Sequence, residues 1–143
     1  MSALSMREIL LVEDDLQIQL LLKNLLTTPE QTVTACSKAE DALIILEEKK
    51  VHILVTDFNL PGMNGLDFIR HLYEKKIYLP ILWITGDHSR LVNLKAWSMG
   101  VFDILLKPFE MSELEDRISK MIHFPQVSSP DDYARAFLKL LDS

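Results

Sequence analysis

Short apolar runs alternate along this chain with longer stretches of helical periodicity. Ile9–Val12, His52–Thr56, Ile81–Ile84 and Phe102–Leu106 hold four or five residues each and are rich in Ile, Leu and Val. Such runs read as strands buried on both faces of a parallel sheet. Gln31–Cys36 alternates polar and apolar positions instead, the pattern of a sheet edge. Between the runs, Leu16, Leu20, Leu21 and Leu25 form one stripe, and Ala39, Ala42, Leu43 and Leu46 a second. Ser37-Lys38-Ala39-Glu40 has the spacing of a capping box ahead of that second helix. Leu66, Ile69 and Tyr73 make a third face, Leu91–Met99 a fourth helix, and Leu114, Ile118, Met121 and Ile122 a fifth stripe. Gly100 is placed to end the fourth helix in a left-handed turn.

Five strand–helix units predict an α/β fold: a doubly wound, five-stranded parallel sheet with helices on both faces. The common order for five units is 2-1-3-4-5, which puts the half-polar second strand at an edge. After Phe124, residues 125–129 read as a linker. Ser129-Pro130-Asp131-Asp132 then joins an N-cap, a proline at the first helical position and acids in the first turn. A sixth, amphipathic helix is expected over Pro130–Leu141, with Tyr133, Phe137, Leu140 and Leu141 on one face. A helix this short is marginal alone. It is expected to dock on its own domain or to pair with a second copy.

Composition narrows the classes. The 143 residues suit one domain with a short appendage. A 48% apolar and 25% charged make-up argues against disorder. Net charge −6 disfavours direct nucleic-acid binding, which relies on Lys and Arg at phosphates. No apolar run approaches the roughly 20 residues that span a bilayer, so no membrane insertion is expected. The N-terminal stretch does not read as a signal peptide. The single cysteine, Cys36, fits a reducing, cytoplasmic setting.

Candidate chemistry gathers just past the apolar runs. Ligands of open α/β sheets bind beyond the carboxyl ends of the strands, where the strand order reverses. Glu13-Asp14-Asp15 comes after the first strand, Asp57 after the third, Thr85-Gly86 after the fourth, and Lys107-Pro108 after the fifth. Each has a plain alternative reading: helix N-terminus acids, caps, turn residues, a surface lysine. Four strand ends carrying such residues together favour a site. Clustered carboxylates repel one another unless a cation neutralises them. Mg²⁺ suits them because it takes hard oxygen ligands. A carboxylate beside Mg²⁺ and a lysine can act as nucleophile toward a phosphoryl group. Asp57 is the best-placed nucleophile, with Asp14 and Glu13 as metal holders.

ILLVEDD, LVTDFNLPGMNG, ILWITGD and ILLKPF resemble, in order and spacing, the signature stretches of receiver domains of bacterial two-component response regulators, over Arg7 to Phe124. The resemblance implies a flavodoxin-like receiver over 7–124, with 125–143 as linker and extra C-terminal helix. It implies that Asp57 accepts a phosphoryl group from a sensor histidine kinase or a phosphotransfer protein. Asp14 would bind Mg²⁺ directly and Glu13 through water, and the backbone carbonyl of Asn59 would complete the ligands. Thr85 would be the switch hydroxyl, assisted by the Gly86 amide, and Lys107 would pair with phosphoryl oxygens across a Lys107–Pro108 peptide that is often cis. Asn59 and Asp87 occupy positions that tune autodephosphorylation. A homodimer through the helix 4–strand 5–helix 5 face or the C-terminal helix is a further expectation.

One position departs from the family. Tyr or Phe often stands three residues before the strand-5 lysine, and here that residue is Ile104. Isoleucine has no polar tip to swing, so output is expected to use the loop after strand 4 or contacts elsewhere. The alternative is a pseudo-receiver, a phosphorylation-independent interaction module in the same fold. Other classes fit less well. Glu13-Asp14-Asp15 would repel a flavin phosphate, and Asn59 stands where a dehalogenase-type phosphatase needs a second acid. Neither a Gly-x-x-x-x-Gly-Lys loop nor a His-Glu-x-x-His motif occurs.

Overall fold

A computed structural model describes residues 6–123 of the chain. The linker and helix expected at 125–143 lie outside the described residues. Strands and helices alternate as β1 (Arg7–Val12), α1 (Leu16–Leu26), β2 (Gln31–Cys36), α2 (Ala39–Glu48), β3 (Ile53–Asp57), α3 (Gly65–Glu74), β4 (Ile81–Thr85), α4 (Arg90–Ser98), β5 (Asp103–Leu106) and α5 (Met111–Ile122). All strand pairs are parallel, in the order β2-β1-β3-β4-β5. The expected architecture is the one observed.

Period-two alternation sorts the strand residues into two cores. Ile9, Leu11, Val55, Ile84 and Leu105 face one side, where Leu22 and Leu26 of α1 and Leu114, Ile118 and Met121 of α5 cover them. Leu10, Val12, Leu54 and Trp83 face the other, under Ala39, Ala42 and Leu43 of α2, Phe68, Ile69 and Leu72 of α3, and Ala96 of α4. The polar positions of the edge strand have partners: Thr32 and Thr34 both donate to the Glu8 carboxylate, which also pairs with Lys49 at 2.8 Å.

Two sequence expectations are corrected. The α1 stripe Leu16, Leu20, Leu21, Leu25 is not the buried one: these leucines are 69, 61, 54 and 38% exposed. The packed face is Ile18, Leu22 and Leu26, an i, i+4, i+8 set. In LQIQLLLKNLL apolar residues lie nearly all round the helix, so periodicity alone does not choose a face. Nor does the capping box form at Ser37–Glu40. The N-cap of α2 is Lys38, without a side-chain cap bond, and the Ser37 hydroxyl accepts from Gln19 instead. A reciprocal capping box is found at Glu110 and Glu113 of α5. Gly100 comes after α4 with φ +89°, as its position suggests.

Candidate functional site

The expected site residues meet at the carboxyl edge of the sheet, around β1 and β3, where the strand order reverses. Asp57 and Thr85 are the last residues of their strands, so the ladder itself fixes their backbones. Glu13 comes directly after β1, and its amide donates to the Cys36 carbonyl at the end of β2. Glu13 and Asp57 are 2 and 5% exposed and Thr85 is fully buried, whereas Asp14 is exposed. One carboxylate oxygen from each of Glu13, Asp14 and Asp57 lies within 4.8 Å of the others.

Lys107 reaches across from the end of β5. Its Nζ stands 2.6 Å from Asp57 Oδ2 and 3.2 Å from Glu13 Oε1. Lys107 N donates to the Thr85 carbonyl at 2.8 Å, and the Lys107–Pro108 peptide is cis. Burial works against the ammonium charge. Asp57 and Glu13 more than offset it, and the lysine sits above its usual range. Burial, with the nearby Asp57 charge, pushes the Glu13 carboxyl up despite bonds from the Asp15 amide and Lys107.

Backbone amides hold the remaining oxygens. Asn59 N donates to Asp57 Oδ1 at 3.0 Å, and Asp15 N to Glu13 Oε2 at 3.1 Å. The Asp15 carboxylate caps α1 by accepting from the amides of Gln17 and Ile18, so its plain reading is the one observed. Thr85 Oγ1 accepts from Asp87 N at 2.9 Å. A β-carbon built on Gly86 would meet nothing within 4 Å, so the space over the β4 end is open.

This donor set fits a hard divalent cation. Three carboxylates face one ammonium, and among the described residues Lys107 supplies the ion pairs of both buried acids. The cluster therefore retains negative charge, and its exposed member, Asp14, leaves a route in for a hydrated ion. Glu13, Asp14, Asp57, Thr85 and Lys107 are thus brought together, with Asn59 and Gly86 beside them.

Sequence reasoning missed three supports. Gln19 Nε2 donates to the Glu13 carbonyl at 2.8 Å, holding the acidic loop from the first turn of α1. His88 Nε2 lies 3.1 Å from the Lys107 carbonyl. Trp83, fully buried on β4, packs on Phe58, with ring centroids 5.2 Å apart, under the loop after Asp57. Of these, Gln19 alone carried a signal, as a polar residue within an otherwise leucine-rich helix.

Comparison with known proteins agrees with this geometry. The response regulator receiver domain family matches residues 9–119. The chain is 35% identical over 119 residues to the chemotaxis protein CheY of Pseudomonas aeruginosa, covering 80% of this chain and 94% of that one. It is 34% identical to nodulation protein W of Bradyrhizobium diazoefficiens, covering 77% of this chain but 48% of that protein. A two-component response regulator of Arabidopsis thaliana is 32% identical, with 76% of this chain and 16% of that protein covered. The chain thus spans about half, or much less, of these last two relatives. Among solved structures, the non-phosphorylated HemR receiver domain of Leptospira biflexa superposes with a TM-score of 0.78 at 26% identity, over 85% of this chain and 98% of that one. With its sheet order, acidic cluster and lysine in place, the chain belongs to the response regulator receiver domain family.

Proposed function

We propose that this receiver domain is a phosphorylation-controlled switch in a two-component phosphorelay, with Asp57 as its phosphoacceptor. The donor is a sensor histidine kinase or a phosphotransfer protein. An oxygen of the Asp57 carboxylate attacks the phosphorus of a phosphohistidine. The P–N bond breaks, its electron pair leaves with the imidazole nitrogen, which takes up a proton, and an acyl phosphate remains on Asp57. Lys107 moves from pairing with the free carboxylate to pairing with a phosphoryl oxygen. The protein is a switch and not a turnover enzyme: its chemistry is limited to accepting and losing that group. Asp14, Asp57 and the carbonyl of Asn59 would hold Mg²⁺ directly, and Glu13 would act through water. When bound, Mg²⁺ supplies charge neutralisation for the transferring phosphoryl oxygens. The single cysteine fits a cytoplasmic location.

The observation that carries this reading is the 2.6 Å pairing of the buried Asp57 with Lys107, beside two more acids at the sheet's switch point. Incubation with acetyl phosphate and Mg²⁺, read by intact mass, tests it. One phosphoryl group is gained, and Asp57→Ala gains none. No gain from acetyl phosphate or from a panel of phosphorylated kinases would instead favour the pseudo-receiver.

Output does not need an aromatic at Ile104. Thr85 Oγ1 accepts from Asp87 N, Asp87 Oδ1 accepts from Ser89 N at 2.7 Å, and the Asp87 carbonyl accepts from Asn93 of α4 at 3.3 Å. When the Thr85 hydroxyl turns to donate to the phosphoryl group, the first link of that chain breaks and the start of α4 is freed to move. The exposed Leu91, Leu94 and Trp97 of α4 and Leu106 of β5 then supply apolar contact area for a downstream protein or a second copy.

A further inference from the structure

The loop between β4 and α4 is tied to the site from two sides. On one side Thr85 Oγ1 accepts from Asp87 N, and the Asp87 carboxylate and carbonyl carry the tie on to Ser89 and Asn93. On the other side the loop reaches across to the end of β5, where His88 Nε2 stands 3.1 Å from the Lys107 carbonyl. A carbonyl only accepts, so this ring nitrogen carries the proton and donates. Lys107 lies one residue past β5, and its amide donates to the Thr85 carbonyl at 2.8 Å. Thr85 and His88 thus hold Lys107 by both of its backbone polar groups. Asp57 and Glu13 hold its ammonium, at 2.6 and 3.2 Å.

The two backbone ties differ in setting. Thr85 is buried, whereas His88 is exposed. Water competes for an exposed hydrogen bond, so its net contribution is small. A tie of that strength orders a loop and still breaks easily. His88 also stands between Asp87 and Ser89, on the stretch that leads into α4. It therefore restrains the same segment that the Thr85 hydroxyl restrains, but from a different strand.

A phosphoryl group on Asp57 brings phosphorus and three oxygens into the space beside Lys107 Nζ, which now sits against Oδ2. We propose that His88 is a positioning residue that latches the β4–α4 loop to the Lys107 carbonyl in the unphosphorylated domain, and that displacement of Lys107 by the phosphoryl group opens the latch. With its amide held by Thr85, Lys107 gives way by turning the peptide whose carbonyl His88 holds. The loop then loses the His88 tie together with the Thr85 tie, and α4 is released. This second link runs through Lys107 and needs no aromatic at Ile104. The opening step rests on Asp57 as phosphoacceptor; the latch itself does not.

Amide hydrogen exchange in the full chain tests both parts. The amides of Asp87, Ser89, Val92 and Asn93 are hydrogen-bonded within the loop and the first turn of α4, so exchange over residues 86–93 reads the opening. Without a phosphoryl donor, His88→Ala speeds that exchange by about three- to ten-fold. His88→Gln, whose side-chain amide also donates, restores it to within ~two-fold of the unaltered chain. After acetyl phosphate and Mg²⁺, with one phosphoryl group confirmed by intact mass, the unaltered chain and His88→Gln gain exchange alike. His88→Ala gains less, because its latch is already open. Unchanged exchange in unphosphorylated His88→Ala, or no rescue by His88→Gln, would overturn the latch. An equal phosphorylation-dependent gain in all three proteins would overturn the opening step. Loss of phosphorylation in His88→Ala alone would place His88 in the chemistry and also overturn the proposal. Absence of the phosphoryl group from all three would overturn the phosphoacceptor reading and the opening step with it, while exchange without the donor still decides the latch.

Discussion

Lys107 balances two buried carboxylates with one charge. Its net upward shift shows that Asp57 and Glu13 outweigh burial. Removing it leaves two buried acids without their ion pair and takes away the group proposed to pair with the phosphoryl oxygens. Lys107→Met is therefore expected to slow phosphorylation by acetyl phosphate by ~10²-fold or more, measured by intact mass over time. Cys36 shows burial prevailing over a weaker opposing contact, its hydrogen bond to the Lys38 carbonyl. Its thiol is pushed up to about 11, chiefly by desolvation, against an ordinary 9.0. Thiolate is the reactive form, so alkylation by iodoacetamide at pH 8 should run ~10²-fold slower than for an unfolded control. Between pH 9 and 11 the unfolded chain loses this proton and the folded chain keeps it, so stability falls as pH rises through that window. A urea series from pH 8 to 11, repeated with Cys36→Ser, isolates the contribution: the variant should show a shallower decline.

At the scale of elements, α1 is the instructive case. Its leucines surround the helix, and only the sheet decides which of them count. Leu22→Ala removes a 2% exposed side chain from the α1–α5 core and should cost ~2–5 kcal/mol, while Leu16→Ala, 69% exposed, should stay within ~0.5 kcal/mol in the same urea titration. The contact of α3 with β4 is equally specific. A β-carbon on Gly65 would stand 2.8 Å from the Trp83 ring, which is buried and has Phe58 on another side. The rigid indole has little room to move, so Gly65→Ala should destabilise by ~1–3 kcal/mol. In both elements the helix itself was legible from periodicity. Its partners were not, because they come from strands remote in sequence.

Across the whole molecule, the proposed switch requires that an event at Asp57 reach α4. The proposed path is the short hydrogen-bonded chain Thr85–Asp87–Ser89–Asn93. Thr85→Ala should leave phosphorylation of Asp57 detectable but abolish the phosphorylation-dependent change in amide exchange over residues 87–98. If that change survives in the variant, the path lies elsewhere. Only Ala96 of α4 is fully buried, which leaves the helix free to shift at small packing cost.

Strand order, the five strand–helix units and the four loops that build the site were readable from the chain by itself. Buried parallel strands need near-continuous apolar runs, and the switch-point rule says which loops then meet. The receiver signatures implied roles for Glu13, Asp14, Asp57, Thr85 and Lys107, residues that the fold brings together. The sequence also showed that Ile104 has no polar tip. Tertiary structure alone decided which face of α1 is buried, that Ser37 serves Gln19 and not its own helix, and that Trp83 supports the loop after Asp57. It also set the 2.6 Å distance that joins Lys107 to Asp57 across a long stretch of chain. Periodicity reports that a helix has an apolar side. Which apolar side is covered depends on what the rest of the fold brings to it, and that information is spread over residues far apart in sequence.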